Sequence, residues 1–249
     1  MITPEIGCIT LSQPSRRNAL TSKMWDDLTN TLTQATKDPN MKVLIITGEG
    51  EHFAAGADIS EFSTLYATPE TSAKISQKIS TALDAVANFP RPTIAKIRGA
   101  CVGGGAGIAL SCDLRFADVT SKFGITPGKL GLVYPFSDIR RLVQAVGQSS
   151  AKDILFSARI ILAEEAKQMG FIDNLTEIDE LDRRVQDYAL SICQTSKQSV
   201  KVTKQMFLAM AEGQTGENAT TKQMFLKGFE SDDFKEGYQA FLEKRKPNF

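Results

Sequence analysis

The chain has 249 residues, of which 42% are hydrophobic and 23% are charged, as expected for a globular protein with a large apolar core. Lysine plus arginine and aspartate plus glutamate number 29 each, a balance that argues against nucleic acid or an anionic membrane surface as partner. One histidine and four cysteines without a C-x-x-C pair argue against a zinc site and favour the reducing cytoplasm as the location. No apolar run approaches the roughly 20 residues that span a bilayer, so no membrane partner is expected.

Alternating strands and helices are predicted for the first half of the chain. Short β-branched or apolar runs predict strands at Ile6–Leu11, Val43–Thr47, Thr93–Ile97 and Leu114–Ala117. Apolar residues at helical spacing predict helices over 24–35, with Thr21 or Ser22 as N-cap, over 72–88, and over 105–111. Two segments between these elements, 61–71 and 123–134, are predicted as loops.

From Asp138 onward the pattern becomes helical. The predicted segments are Asp138–Val146, Ala151–Phe156, Ala163–Met169, Leu181–Cys193, Val200–Ala211, Thr221–Phe229 and Asp232–Arg245. An α/β first part followed by helices is therefore predicted, with no linker long enough to separate independent domains.

Two glycine-containing stretches point to chemistry. They are Phe53–Ile59 (FAAGADI), which follows a predicted buried strand, and Gly99–Asp113 (GACVGGGAGIALSCD). Three consecutive glycines let a ligand approach backbone N–H groups directly, and a helix that starts there adds the positive end of its dipole. The ligand should therefore carry or develop negative charge.

Two phosphate-binding motifs fail in the second stretch and beyond it. A dinucleotide motif G-x-G-x-x-G starting at Gly103 needs glycine where Ile108 stands. One starting at Gly105 needs glycine where Leu110 stands. A P-loop needs serine or threonine after Gly-Lys, but 128–130 reads Gly-Lys-Leu. An oxyanion hole made of two backbone N–H groups, one from each stretch, and a tight turn that only packs a helix on the sheet both remain open.

The same stretches resemble a known family. Phe53–Ile59 and Gly99–Asp113, followed by Phe123-Gly124, are similar to the motifs of the enoyl-CoA hydratase/isomerase, or crotonase, family. The tail Phe234–Phe249 (FKEGYQAFLEKRKPNF) resembles that family's C-terminal segment, so the resemblance spans nearly the whole chain. It implies an α/β spiral of β-β-α units over 1–195. It also implies a C-terminal helical trimerisation region over 196–249, within one structural unit, and acyl-CoA thioesters as substrates.

The resemblance also implies roles for individual residues around the acyl group. By position, Ala57 and Gly104 would supply the two N–H groups of the oxyanion hole. Ala55 and Ile59 would border the path of the adenine and pantetheine. No cofactor is implied beyond the coenzyme A that is part of the substrate.

Other residues would contact coenzyme A from further away. Arg17, with Arg16, could donate charge-assisted hydrogen bonds to its phosphates, although a solvated basic turn is the alternative. Phe241 and Lys244 would reach the coenzyme A of a neighbouring subunit, as the resemblance implies. The apolar residues of the tail helix lack chain to cover them, which predicts a homotrimer or a dimer of trimers.

One departure from the family pattern concerns the reaction. The family's hydratases carry two glutamates that handle water, and the matching positions here are Gly107 and Pro127. Neither residue can transfer a proton, so hydration by the family's usual route is not expected. The isomerases that use one glutamate need the second position, which is Pro127.

Tyr134 and Asp138 are the remaining candidates for chemistry. Tyr134 lies eleven residues after Phe123, in a frame similar to that of methylmalonyl-CoA decarboxylase-type members, which, however, tend to have histidine where this chain has Ala57. A packed loop aromatic is the alternative for Tyr134, and a helix N-cap is the alternative for Asp138.

Three functions therefore remain open. The first is decarboxylation of a short malonyl-type thioester, whose enolate an oxyanion hole would stabilise. The second is isomerisation or C–C cleavage that uses Asp138 or a bound water. The third is coenzyme A binding without catalysis.

Overall fold

The computed structural model describes residues 3–249, which form eight strands and ten helices. The strands are β1 (Ile6–Leu11), β2 (Val43–Gly48), β3 (Thr93–Ile97), β4 (Ala100–Val102), β5 (Leu114–Asp118), β6 (Lys122–Gly124), β7 (Ile160–Leu162) and β8 (Asn174–Thr176). The helices are α1 (Ser22–Ala35), α2 (Phe62–Leu65), α3 (Pro69–Ala87), α4 (Gly104–Ser111), α5 (Phe136–Ser157), α6 (Ala163–Met169), α7 (Leu181–Cys193), α8 (Lys197–Ala211), α9 (Ala219–Gly228) and α10 (Asp232–Leu242).

A parallel sheet of five strands, in the order β1-β2-β3-β5-β8, forms the larger layer. Successive residues of a strand face opposite sides, and in β2 both sides are buried. Val43 and Ile45 belong to the same apolar cluster as Val185 of α7. Leu44 and Ile46 belong to the main core on the other side. The unbroken apolar run of β2 is therefore the pattern that a strand covered on both faces requires.

A second layer is made of short segments. β4 pairs with β6 in parallel, and β6 pairs with β7 in antiparallel. Isolated parallel bridges join Leu20 to Ala57 and Ala54 to Cys101, which extends the layer back toward the start of the chain. Both glycine-containing stretches thus contribute to this layer.

The two layers arise from one repeated order of elements. A long strand of the larger sheet is followed by a short strand and then by a helix in β3-β4-α4 and in β5-β6-α5. The bridges at Leu20 and Ala54 take the place of the short strand before α1 and α3. The predicted α/β spiral of β-β-α units is therefore confirmed.

Two predictions of local structure were wrong. The segment predicted as a loop over 61–71 contains α2 and the start of α3, where Thr68 and Thr71 form a capping box. The segment predicted as a loop over 123–134 contains most of β6 and a 3₁₀ turn over 127–130. Strands β4, β6, β7 and β8 have three residues each, too few to show an alternation of apolar and polar residues. They form because they pair with neighbouring strands.

The C-terminal helices are attached to the sheet by buried polar contacts. The Lys204 ammonium of α8 donates to the Arg91 carbonyl (3.0 Å) and to Asp113 Oδ2 (2.7 Å). The same carboxylate oxygen accepts from the Thr93 amide at the start of β3 (2.7 Å). The division of the chain at 195 and 196 stays a prediction. Within residues 3–249, no helix is long and apolar enough to cross a membrane.

Candidate active site

The two glycine-containing stretches meet side by side in the second layer. The Ala54 amide donates to the Ala100 carbonyl (2.9 Å), and the Val102 amide donates to the Ala54 carbonyl (2.9 Å). The His52 imidazole Nδ1 accepts from the Ala100 amide (3.2 Å). The stretch after β2 is thereby aligned with the strand that leads into α4.

Close backbone approach explains the glycines at the start of α4. A Cβ on Gly105 would lie 2.5 Å from the Ala54 carbonyl oxygen, a distance that no side chain tolerates. Gly103 has φ of +54° and ψ of −115°, a conformation that an L-residue rarely adopts. Its amide donates to the Gly124 carbonyl of β6 (2.8 Å). Glycine at 103 and 105 therefore lets α4 begin directly against the other stretch.

In the described part of the chain, backbone hydrogen bonds join the loop of Ala57 to Leu20 and leave the amide of Ala57 unused. The Leu20 amide donates to the Gly56 carbonyl (2.7 Å), and the Asp58 amide donates to the Leu20 carbonyl (2.9 Å). Across residues 3–249, the N–H groups of Ala57 and Gly104 have no hydrogen-bond acceptor. Gly104 is the first residue of α4, where N–H groups lack intrahelical partners and the helix dipole is positive.

Asp58 fixes the loop that carries Ala57. Its buried carboxylate accepts from Ser60 Oγ (2.7 Å), the Ser60 amide (3.0 Å), Arg16 Nη1 (2.7 Å) and Gln13 Nε2 (3.2 Å). These hydrogen bonds, with that from the Ser60 hydroxyl the largest contribution, lower the pKa of Asp58 to about 2. Asp58 therefore orders its own loop as an anion.

The predicted coenzyme A contacts Arg17, Ala55 and Ile59 lie along this loop. Ala55 donates its amide to the Arg17 carbonyl (3.0 Å), which brings the two residues together. The Arg17 side chain is exposed. Ile59 begins a short 3₁₀ turn and is 70% exposed, although it is a large apolar residue. Its exposure marks a surface available to an apolar part of a ligand.

Tyr134 reaches the middle of α4 from the turn before α5. A Cβ built on Gly107 would lie 3.7 Å from the Tyr134 hydroxyl oxygen and 3.4 Å from Leu83 Cδ1 of α3. The hydroxyl is buried and has no hydrogen-bond partner within residues 3–249. Burial raises its pKa above its ordinary value, the charge of Asp138 adds to that effect, and Arg141 opposes it. The phenol is therefore a protonated donor without an acceptor.

Asp138 belongs to a buried ion-pair network. It is the third residue of α5, after the N-cap position Pro135, so the predicted N-cap role of Asp138 was wrong. Its Oδ1 accepts from Arg141 Nη1 (2.8 Å), and the Arg141 guanidinium also donates to Asp84 of α3. Burial raises the pKa of Asp138, against the lowering effect of Arg141.

Sequence reasoning missed the Arg141 side chain. The spacing of Asp138 and Arg141, three apart on one helix, was an available signal for their pairing. The second carboxylate, Asp84 of α3, lies 57 positions before Arg141 and becomes its partner only in the folded chain.

Phe241 and Lys244 lie away from the residues described above. Phe241 is 81% exposed on α10, and Lys244 follows the end of that helix. The α10 region contacts Phe249, whose carbonyl accepts from Lys42 immediately before β2 (2.8 Å). The site stretch instead follows the end of β2, so the structure of one chain does not bring these two residues to it.

The described residues 3–249 contain no group of three or more histidine, cysteine, aspartate or glutamate side chains placed to hold a metal ion. All four cysteines are free thiols. Burial raises the pKa of Cys101 well above its ordinary value and that of Cys112 to about 12, which keeps both thiols protonated.

Comparison with known proteins places this geometry in a family. The family model for enoyl-CoA hydratase/isomerase matches residues 2–249. A probable enoyl-CoA hydratase of Mycobacterium leprae is 34% identical over 245 residues, covering 98% of this chain and 94% of that protein. A crotonyl-CoA hydratase of Syntrophomonas wolfei is 32% identical over 251 residues, covering 98% and 94%.

A solved structure gives the same result. The crystal structure of an enoyl-CoA hydratase/isomerase family protein from Hyphomonas neptunium has a TM-score of 0.97 and 46% identity, covering all of this chain and 95% of that one. The architecture is thus the crotonase fold. The chain belongs to the enoyl-CoA hydratase/isomerase family and is an enzyme of that family, whose members act on acyl-CoA thioesters.

The pKa of Asp58 predicts how acid affects stability. Because the folded-state pKa is about 2, below the ordinary value of about 3.9, the ionised carboxylate stabilises the fold above pH 4. That contribution disappears as the pH falls from about 4 toward 2. Asp58→Asn should therefore unfold at a lower midpoint concentration of urea than the wild type at pH 6. The difference between the two midpoints should become smaller below pH 4.

Asp27→Asn is the matched control, since Asp27 forms only an exposed pair with Lys23 (2.5 Å). Such pairs contribute about 1 kcal/mol or less. Equal urea midpoints for the wild type and Asp58→Asn at pH 6 would contradict the lowered pKa of Asp58. So would a difference between the midpoints that is the same at pH 6 and pH 3.

Proposed function

We propose that this enzyme binds an acyl-CoA with the thioester carbonyl oxygen between the N–H groups of Ala57 and Gly104. Both groups lack a protein acceptor, and they lie on adjacent segments held by the Leu20–Ala57 bridge and by the pairing of Ala54 with β4. The dipole of α4 adds positive potential at Gly104. Donors fixed in this way stabilise negative charge that develops on a carbonyl oxygen.

Coenzyme A would extend from this point along the loop after Ala57. The exposed Ile59 side chain and the backbone at Ala55 would border the pantetheine and adenine, and the Arg17 guanidinium would bind a phosphate. Arg16 is less available because Asp58 and Ser60 already accept from it (2.7 Å each). The free thiols accord with the reducing cytoplasm as the location.

The reaction we propose is decarboxylation of a short malonyl-type thioester. The unpartnered, buried hydroxyl of Tyr134 beside Gly107 carries this assignment. The bond between the α-carbon and the carboxylate carbon breaks, CO₂ leaves, and the electron pair passes into the thioester enolate. The Tyr134 hydroxyl then gives its proton to the α-carbon, and solvent restores that proton.

Electrostatics around Tyr134 support both halves of this cycle. Burial keeps the hydroxyl protonated before the bond breaks. The positive Arg141 side chain, which lowers the pKa of Tyr134, offsets part of the cost of the transient phenolate. Asp138 has the raised pKa of a usable base, and isomerisation or C–C cleavage through Asp138 is the second candidate.

We also propose a homotrimer, or a dimer of trimers, built on the C-terminal helices. Aromatic residues of α9 and α10 pack edge to face, as in Phe225 with Phe229 and Phe229 with Phe234, yet they remain about half exposed. Contiguous exposed apolar surface of this kind marks an interface. Phe241 and Lys244 would then contact the coenzyme A of a neighbouring subunit.

Removing one N–H tests the oxyanion hole. Gly104→Pro deletes the donor at a position, the first of a helix, where the proline backbone is accepted. It should cost about 3 kcal/mol of transition-state stabilisation, or about 100-fold in kcat/KM. Isothermal titration with acetoacetyl-CoA and rate measurements provide the readout.

Gly104→Ala is the matched control. Both variants add a Cβ about as close to Trp25 Cζ2 (2.9 Å) and Leu20 Cδ1 (3.0 Å), but alanine keeps the N–H. Proline should therefore lose much more activity than alanine. Equal losses would mean that crowding, and not the missing donor, is responsible. Absence of any binding of acetoacetyl-CoA by the wild type at millimolar concentration would refute the proposed ligand.

The Tyr134 hydroxyl is tested with a panel of thioesters. Malonyl-CoA or methylmalonyl-CoA should release CO₂, and Tyr134→Phe should lower kcat by about 10-fold or more. Asp138→Asn should have a smaller effect. Tyr188→Phe serves as control, because the Tyr188 ring packs on Phe116 away from the site. Crotonyl-CoA should be hydrated at background, since Gly107 and Pro127 supply no carboxylate.

Three outcomes would contradict the decarboxylase assignment. Hydration of crotonyl-CoA at even ~1 s⁻¹, within the ordinary range of enzymes, would show that the missing carboxylates are not needed. A silent Tyr134→Phe combined with an inactive Asp138→Asn would transfer the proton-handling role to Asp138. If thioesters bind but no member of the panel is turned over, the remaining function is coenzyme A binding without catalysis.

Light scattering tests the assembly. The 27.2 kDa chain should elute at about three or six times that mass at micromolar concentration. Phe241→Asp should shift the equilibrium toward monomer and weaken coenzyme A binding. Ile178→Asp, at a position 52% exposed outside α9 and α10, should do neither. A monomeric wild type would refute the trimer and the neighbour's contacts with coenzyme A.

A further inference from the structure

Gly107 and Tyr134 meet at one corner of the candidate active site. Gly107 is firmly held in α4, since its amide donates to the Gly103 carbonyl (2.9 Å) and its carbonyl accepts from Ser111 Oγ (2.8 Å). Tyr134 is 27 positions further along the chain and reaches Gly107 only with the tip of its side chain. No side chain at 107 therefore stands between the hydroxyl and the backbone of α4.

A methyl group at 107 would be in ordinary van der Waals contact with its neighbours. A Cβ there would lie 3.4 Å from Leu83 Cδ1, 3.6 Å from Leu83 Cδ2 and 3.7 Å from the Tyr134 hydroxyl oxygen. Leu83 is 1% exposed in α3 and has nowhere to move. Tyr134 follows Val133, which is 90% exposed, so its turn borders solvent and can yield. A longer side chain at 107 would thus displace the phenol.

The absence of a charged side chain at Gly107 also matters for an anionic substrate. A malonyl-type thioester brings its own carboxylate, which a fixed carboxylate at 107 would repel at short range. Asp138 does not impose that repulsion fully, because Arg141 pairs with it (2.8 Å). Glycine at 107 therefore leaves an uncharged corner, with the phenol as its polar group.

We propose that Gly107 is a specificity-determining residue, which admits the Tyr134 hydroxyl and an anionic acyl group and excludes a carboxylate side chain from this corner. The inference rests on the proposed function, in which Tyr134 supplies the proton. The new element is that the size of residue 107 determines whether a phenol or a carboxylate occupies this corner of the site.

The experiment compares six variants, including one control, with the wild type. Gly107→Ala adds the tolerated methyl, Gly107→Gln adds length without charge, and Gly107→Glu adds length with charge. Tyr134→Phe and the double variant Gly107→Gln/Tyr134→Phe complete a mutant cycle. Gly216→Gln is the control, because a Cβ there meets nothing within 4 Å and the residue lies outside α9 and α10. Thermal melting first establishes that each variant folds.

Two readouts are measured. The first is CO₂ release from malonyl-CoA or methylmalonyl-CoA, separated into kcat and KM. The second is ¹⁹F NMR of protein labelled with 3-fluorotyrosine, in which the resonance missing from Tyr134→Phe identifies Tyr134. This resonance is read with and without acetoacetyl-CoA, so it needs no turnover.

Gly107→Ala should keep kcat within about 3-fold of the wild type, and Gly107→Gln should lower kcat by about 30-fold. Gly107→Glu should in addition raise KM, because it repels the anionic acyl group. In the Tyr134→Phe background, Gly107→Gln should lower kcat by less than about a further 3-fold, because its effect acts through the Tyr134 hydroxyl. The Tyr134 resonance should shift in Gly107→Gln and stay in place in Gly107→Ala and Gly216→Gln.

Additive losses in the cycle, an unmoved Tyr134 resonance in Gly107→Gln, or a Gly107→Gln variant as active as the wild type would each overturn the proposal. If Gly107→Gln does not fold, Gly107→Ser replaces it under the same criteria. If the wild type releases no CO₂ at all, the proposed reaction fails by itself. The NMR arm then decides the role of Gly107: a resonance moved by both acetoacetyl-CoA and Gly107→Gln supports it, and any other pattern overturns it.

Discussion

The contact between the backbone of α4 and the Ala54 carbonyl is the constraint on which the rest of the site depends. With no Cβ at Gly105, the helix begins against the other stretch instead of standing off by the width of a side chain. That approach places the N–H of Gly104 beside the loop of Ala57. It also sets Gly107, one turn further on, where the Tyr134 hydroxyl arrives. A short separation between two main chains thus positions two different polar groups, neither of which could be placed independently.

Much of the fold follows from patterns that the sequence displays openly. The run of β2 is apolar without interruption because both faces of that strand are buried, and α6 and α7 begin and end at the predicted residues. The N-cap at Thr21 was predictable because its hydroxyl accepts from the Met24 amide (3.2 Å), an interaction within one turn. Local chemistry determines all of these features, and local chemistry is what a single sequence exposes.

The features that escaped prediction depend on distant partners. β4 and β6 have three residues each and exist because they pair with each other. The ion pair between the buried Arg141 and the exposed Asp84 joins residues 57 positions apart, and no local pattern predicts it. Tyr134 was predicted as a candidate from a motif, but its vicinity to Gly107 needs the whole turn of the spiral between them. The candidate residues of the site were therefore accessible from the sequence, whereas their mutual geometry was not.

The attachment of α8 to the sheet has a consequence for the order in which the chain folds. Lys204 binds Asp113, 91 positions earlier, and the same carboxylate holds the amide of Thr93 at the start of β3. The carboxylate is held in this place by the Thr93 amide only after β3 and β5 have aligned, so the Lys204 anchor of α8 is complete no earlier than that pairing. Closing so long a loop is entropically slow, and contacts of high sequence separation form late. The C-terminal helices should accordingly dock in the last kinetic phase, which exposes their aromatic surface to self-association while the sheet is still being completed.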